Sequence, residues 1–381
     1  MALGEPGLNH GGFHRRSANH GKFMEKFGRR DTSVVSKNNS SCHVQIDSIA
    51  LFPDILEAID RLRLPTVLQE AVTVVQFGSS NGQISVDNVV AILQRLKEKF
   101  GRTIGQEPEY QVFFQDLPTI DFNALIKLLN ASILPNQDVH PVDCYAAAVA
   151  GSMYDRLFPV STLHFGCAMF DLNCLSRIPE SVSDRHSPAY NGGQTGLHRS
   201  SVATIKAYSA QAKEDLCNFL AARADEMADY GILCLNFRCR DSDSSTSYST
   251  PHEVIGDCVW DDFIDKGIIS ADMRDSFNPL HYWRSVREIT EVVADFSSDF
   301  EVHKEVVQQV HIPAGSASVA STPSPSLSST AMLRAHFGKE VTNLYLQRYE
   351  QVLLEGIGNQ TLSYHQSTTW MIVVLIRKPR G

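Results

Sequence analysis

The 381-residue chain has no apolar run close to the roughly 20 residues that a membrane helix requires. Its first residues, MALGEPGLNHGGFHRRSANHGKF, hold no apolar leader core. The expectation is a cytoplasmic protein with no membrane partner. There is no basic excess either. A net charge of −9 argues against a nucleic-acid partner, which needs a basic footprint. The eight cysteines show no C-x-x-C spacing, and several lie in apolar runs. They read as reduced, buried thiols and not as a disulfide framework or a zinc site. Fourteen histidines invite a metal reading, but H-E-x-x-H is absent, and His10, His14 and His20 fall in a glycine-rich segment. No metal is expected. With 43% hydrophobic and 20% charged residues, what remains is an ordinary globular composition.

Two stretches organise the rest. Val72 to Gly82 reads VTVVQFGSSNG: apolar and β-branched residues, one Gln, then a Gly–Ser–Ser–Asn–Gly loop. Gln111 to Asn123 reads QVFFQDLPTIDFN, an apolar run that ends in Asp116. A helix is expected between them, from about Ile84 to Phe100. Strand, glycine loop, helix and a second strand tipped by a carboxylate form a βαβ unit shaped for a nucleotide-like ligand. Gly78 and Gly82 allow a tight turn and close backbone approach. The helix offers its positive N-terminus to an anionic group, and Asp116 is placed to accept hydrogen bonds from a ribose diol. The loop misses G-x-G-x-x-G, the dinucleotide pattern, and no Lys follows Gly82 as a P-loop requires. The ligand that remains is S-adenosylmethionine, whose adenosine needs the ribose carboxylate and brings no pyrophosphate. Two glycines alone would equally make a plain tight turn; the paired strand ending in Asp116 decides between the readings.

These motifs resemble those of the SABATH methyltransferases, which form methyl esters of small carboxylic acids and, in one branch, N-methylated purines. FGSSNG (Phe77 to Gly82) and QDLPTIDFN (Gln115 to Asn123) are similar to the family's glycine loop and acidic motif. GSMYDRLFPVSTLHF (Gly151 to Phe165), LRAHFGKEVTNLYLQRY (Leu333 to Tyr349) and VLIRK (Val374 to Lys378) resemble family segments in family order. The resemblance implies an α/β fold, a Rossmann-like methyltransferase sheet with a helical cap. It implies S-adenosylmethionine as cofactor, a small carboxylic acid as substrate, and a homodimer. The departures point further, to the members acting on dicarboxylic acids such as fumarate. Two alternatives stay open: N- or O-methylation of a neutral ring compound, and a degenerate member that binds without turnover.

The resemblance carries over residue by residue. The cofactor set is Gln76, Gly78, Ser79, Gly82, Asp116, Leu117, Ser152 and Met153. Gln76 stands where the family has an acidic residue that helps bind the methionine amine; Met153 stands where it has an aromatic beside the adenine. The substrate set is His14, Arg15, Arg16, Glu25, Phe170 and Cys174. Glu25 falls near the family's carboxylate-binding Gln, Cys174 at its carboxylate-holding Trp and Phe170 at a nearby Tyr. Arg15 and Arg16 are suited to bidentate carboxylate recognition. Methyl transfer from a sulfonium to an ionised carboxylate needs positioning more than acid–base chemistry, since a carboxylic acid of pKa about 4 is already a nucleophile at neutral pH. No catalytic base, Ser–His–Asp triad or Cys–His pair is therefore assigned.

Along the chain, residues 1–30 are expected to close over the site, and Ser48 to Leu64 to form a helix. Residues 48–250 form the core, with an insertion near 178–225 that includes a polar loop from Pro179 to Ser201. Ala203 to Tyr230 reads as a long helix ended by Gly231, followed by a core strand, Ile232 to Phe237. Residues 251–365 are expected to be a mainly helical cap with a mobile loop at 313–330, and 366–381 the last core strand.

Overall fold

The computed structural model describes residues 53–60, 71–79, 82–103, 108–133, 144–169, 171–240, 251–312, 327–358 and 366–380. A first helix, α1, covers 53–60. Then come β1 (Val72–Phe77), α2 (Gln83–Thr103), β2 (Tyr110–Asp116), α3 (Phe122–Ile133), β3 (Cys144–Ala150) and β4 (Leu163–Met169). They are followed by α4 (Val202–Glu226), β5 (Met227–Cys239), α5 (Pro251–Asp265), α6 (Ala271–Asp275) and α7 (Val286–Asp295). The chain closes with β6 (Phe300–Ile312), α8 (Leu327–Gly358) and β7 (Gln366–Arg377).

The strands form one sheet in the order β3-β2-β1-β4-β5-β7-β6. The first five are parallel, and β7 runs antiparallel between β5 and β6. β1 is buried on both faces along its whole length, which is why it reads as an almost unbroken apolar run. The chain winds outward through β2 and β3, then returns to the other side of β1 for β4. The crevice at the carboxyl ends of β1 and β4 is thus the topological switch point, where open α/β sheets bind ligands.

Each face of the sheet carries a helical layer. On one, Val72, Val74, Val112, Phe114 and Phe165 pack with Ile55 of α1, Val89 and Leu96 of α2 and Leu125 of α3. On the other, Val75, Phe77, Leu233 and Leu235 pack with Leu216, Phe219 and Leu220 of α4 and Val292 of α7. The cap has a separate core, in which Trp260 of α5 stacks between Phe337 and Tyr345 of α8, with ring centroids 4.3 and 4.2 Å away. The α/β architecture expected from the sequence is present.

Four details refine the expected picture. α4 ends at Glu226, not Tyr230. The chain turns at Tyr230, whose φ is 65°, and an added Cβ at Gly231 would lie 2.9 Å from the carbonyl oxygens of Ala228 and Leu163. The stretch expected to be a helical cap, 251–365, also contributes to the core: β6 pairs with β7 in the sheet, and α7 packs beside α4. α8 starts at Leu327, inside the loop expected over 313–330. It is also broken at Gly338, whose φ of 83° and ψ of 164° only glycine adopts easily. Finally, β3 is the sheet's edge strand, with Tyr145 65% exposed.

A buried ion pair fastens α4 to the loop after β3. Arg223 Nη2 and Glu226 Oε2 are 2.7 Å apart with both side chains fully enclosed. Arg223 donates to the carbonyls of Met153 and Asp155 at 2.9 and 3.0 Å, and its guanidinium stands 4.4 Å from the centre of the Phe77 ring. Glu226 accepts from the amides of Leu157 and Phe158. Burial pushes the Glu226 carboxyl up and the Arg223 guanidinium down to about 10, each drawn back by its partner. Glu226→Ala should therefore leave an enclosed cation and two amides without acceptors, at a cost of about 3–5 kcal/mol. The urea midpoint should fall accordingly, and fall less for Glu226→Gln, which still offers an acceptor. An unchanged midpoint for Glu226→Ala would contradict this role.

Candidate active site

The glycine loop leaves β1 at Gly78, which has a φ of +67°. A Cβ added there would lie 2.2 to 2.4 Å from the side chain of Asp171. Both conformation and space therefore require glycine. Ser79 is fully buried; its amide donates to the Gln115 carbonyl at 3.0 Å, and its hydroxyl faces the carbonyls of Gln76 and Gln115 at 3.0 and 3.2 Å. It pins the loop to β2. Gly82 directly precedes α2.

Asp116 ends β2 beside this loop. Its Oδ1 accepts from the Leu117 amide at 2.7 Å, which fixes the carboxylate, and its carbonyl accepts from the Gly151 amide at 2.9 Å. Gln115 Nε2 donates to the Gly151 carbonyl at 2.9 Å. These bonds bring Ser152 and Met153 next to Asp116 from the far side of β3. The Ser152 hydroxyl accepts from the Tyr154 amide at 3.2 Å, and Met153 packs against the cluster around Phe77.

Gln76 is 1% exposed. Its Nε2 donates to the Phe77 carbonyl at 3.1 Å, while Oε1 has no hydrogen-bond partner among the described residues. Asp171 follows β4 as the first residue of a short 3-10 turn, Asp171–Asn173. Burial, with the Asp116 charge nearby, raises its carboxyl well above the usual range. The sequence reading did not single it out, although an acid directly after a buried strand is the same signal that marked Asp116.

The position that resembled a carboxylate-holding Trp, Cys174, bridges to His281 at the edge of the cap, and its carbonyl accepts from the Tyr154 hydroxyl. Its thiol is pushed up to about 12 by burial, then by Asp171 and Asp116, so it is protonated and no nucleophile. Arg284, 1% exposed, donates to the carbonyls of Leu172 and Ala212 and locks this turn to α4. Arg238, near the end of β5, lies 4.2 Å over the Trp283 ring. Burial, with the Arg238 charge adding to it, lowers His281 to about 4, so its imidazole is neutral at pH 7. Neither Arg238 nor Trp283 stood out in the sequence.

The sequence-derived cofactor residues Gln76, Gly78, Ser79, Gly82, Asp116, Leu117, Ser152 and Met153 thus cluster at the carboxyl ends of β1 to β3. Of the substrate set, Cys174 is at the adjoining wall; His14, Arg15, Arg16, Glu25 and Phe170 lie outside the described residues. Among the described residues no group of three or more His, Cys, Asp or Glu could hold a metal, and no helix is long and apolar enough to cross a membrane.

Comparison with known proteins agrees with this geometry. A family model described as SAM-dependent carboxyl methyltransferase matches residues 21–378. The chain belongs to that family. S-adenosylmethionine is its cofactor, and the enzyme is a carboxyl methyltransferase of the SABATH type. It is 34% identical over 298 residues to indole-3-acetate O-methyltransferase 1 of Arabidopsis thaliana, covering 73% of this chain and 76% of the relative. It is 32% identical over 282 residues to gibberellic acid methyltransferase 2 of the same plant, covering 71% and 70%. The solved structure of a loganic acid methyltransferase with SAH superposes with a TM-score of 0.75 at 25% identity, covering 93% of this chain and 98% of that one. The GSSNG loop also has the spacing of a G-x-S-x-G nucleophile elbow, with Ser80 at its centre; family membership settles that coincidence against a serine hydrolase.

The residues fit the cofactor. Gly78 lets the loop backbone and the Asp171 side chain meet where a Cβ would clash, Asp116 offers an oriented carboxylate, and the buried Gln76 Oε1 has no hydrogen-bond partner among the described residues. When bound, the cofactor supplies an electrophilic methyl group on a sulfonium. Asp116→Ala should weaken S-adenosylmethionine binding by at least the roughly 1.5–3 kcal/mol of a hydrogen bond to a charged group. Calorimetry showing unchanged affinity would remove Asp116 from the site.

Proposed function

We propose that the enzyme methylates a small aliphatic dicarboxylic acid of the fumarate kind, giving its methyl ester. The observation that carries this reading is Cys174 at the wall of the site. In the aromatic-acid members that the sequence resembles, a Gln and a Trp grip one carboxylate while an apolar pocket takes the ring. Here those positions hold Glu25 and Cys174, and a protonated thiol cannot replace an indole N–H of that reach. A carboxylate brought into a dry site without a partner is costly, so cations must supply the grip. Arg15 and Arg16, in the segment expected to close over the site, are the candidates from the sequence. Arg238 is the candidate from the structure, since it neighbours His281, the bridge partner of Cys174.

The chemistry asks little more of the protein. The carboxylate oxygen forms a bond to the methyl carbon as the carbon–sulfur bond breaks. The bonding pair stays on sulfur, leaving a thioether and an uncharged ester group. No proton moves, so the site needs alignment and exclusion of water. Two cations would hold one carboxylate of the diacid while the other is methylated. The first methylation removes a negative charge, so a second should be slower.

A second reading, methylation of a neutral ring, is favoured by three relatives of the xanthine-methylating type. The chain is 29% identical to a 7-methylxanthine methyltransferase of Camellia ptilophylla over 275 residues. Assembly as a homodimer belongs to the proposal; a scattering mass near the 42.3 kDa of one chain at micromolar concentration would remove it.

The deciding assay incubates the full chain with methyl-labelled cofactor and fumarate, succinate, benzoate, indole-3-acetate or 7-methylxanthine, with products identified by mass. The expected product is a diacid monoester. The Arg15→Ala/Arg16→Ala variant should lose at least ~10-fold in kcat/KM on fumarate, the scale of one lost charged hydrogen bond. Preference for a monoacid or for the xanthine, or full activity of the double variant on fumarate, would overturn the dicarboxylate reading. No labelled product from any acid would favour a protein that binds without turnover.

A further inference from the structure

We propose that Asp171, from the end of β4, accepts the ammonium group of the cofactor's amino-acid tail, a task that falls to an acid at the end of β1 in the proteins this chain resembles. The end of β1 here carries an amide. Gln76 is buried, its amide nitrogen is held by the Phe77 carbonyl, and its oxygen brings only a partial charge. A cofactor with both a sulfonium and an ammonium group enters a partly desolvated cleft, and an enclosed cation without a counter-charge is costly. The negative charge missing from β1 has to come from a neighbouring strand.

β1 is flanked by β2 and β4, and each of those strands delivers one carboxylate to the rim. Asp116 ends β2, with its Oδ1 turned to the Leu117 amide. Asp171 lies directly on the backbone of Gly78: an added Cβ there would come within 2.4 Å of its Oδ2. Its carboxyl is therefore at the mouth of the glycine loop, over the strand whose own acid is absent. The two carboxylates straddle the loop, so Asp116 can serve the ribose while Asp171 serves the other end of the ligand. Among the described residues no Lys, Arg or His pairs with Asp171. The groups around it are Asp116, Tyr154 and the Cys174 thiol; the nearest enclosed cation on that turn, Arg284, is bound to the carbonyls of Leu172 and Ala212. A half-buried carboxyl with a like-charged neighbour and, among the described residues, no paired cation is one whose charged form a cationic ligand would favour.

The inference rests on the cofactor class and not on the identity of the acid substrate, so it is tested by binding alone. S-adenosylhomocysteine is titrated calorimetrically into the full chain, alongside its analogue lacking the amino group. For Asp171→Asn, affinity for S-adenosylhomocysteine should fall at least ~10-fold, the effect of a lost charged hydrogen bond, while affinity for the desamino analogue should stay nearly unchanged. Adding Gln76→Asp to Asp171→Asn should recover part of the loss, because it returns an acid to the end of β1. Equal losses for the two ligands would mean that Asp171 only supports the loop, and no loss for either would mean that it lies outside the contact; both outcomes overturn the proposal. A wild-type measurement is independent of whether the variants fold: the wild-type chain should bind S-adenosylhomocysteine at least ~10-fold more tightly than the desamino analogue, and equal affinity for the two ligands would also overturn the proposal.

Discussion

Two opposite charges shut away from water hold the cofactor end of this molecule together. Arg223 and Glu226 gain from each other less than a surface chemist would assume, because each lost its hydration on entering the interior. Their value lies in the hydrogen bonds they impose. Between them they bind the backbone of Met153, Asp155, Leu157 and Phe158. The loop that presents Ser152 and Met153 is thus shaped by the last turn of a helix some seventy residues later in the chain. The same guanidinium lies over Phe77 and Phe219, so the floor beneath the glycine loop and the loop that carries Met153 share one support.

How far the sequence carries can be judged from individual residues. β1 and β2 were legible because a strand buried on both faces has no choice but to be apolar, and because Gly78 and Asp116 interrupt that pattern where the chain must turn or hold a ligand. The end of α4 was not legible. Helical spacing continues through Ala228, and only the buried Arg223–Glu226 pair and the left-handed Tyr230 show that the helix has stopped. Asp171 was overlooked because it falls in the seam between an apolar strand and a turn, and its significance lies in a contact with Gly78, 93 positions earlier. The wall around Cys174 was the least legible part, since Cys174, His281, Arg238 and Trp283 meet only when β4, β5 and the cap converge.

The site's electrostatics follow from strand order. Parallel strands with their carboxyl ends on one rim bring side chains from distant parts of the chain within reach of a single small ligand. A missing acid on one strand can then be balanced by an acid on the next, without any change in the backbone between them. Gln76 and Asp171 are such a pair of positions, separated by one strand spacing though far apart in the chain.

The cap's separate core has a further consequence. Among the described residues Trp260, clamped between Phe337 and Tyr345, draws its packing partners from α5, α8 and the 277 region, and none from the sheet. The sheet's two cores close without it. Substitutions that reshape the cap therefore answer to one set of neighbours, and those that preserve the glycine loop to another. A lineage can exchange one acid for another by revising the lid, while the methyl donor's berth stays as it was.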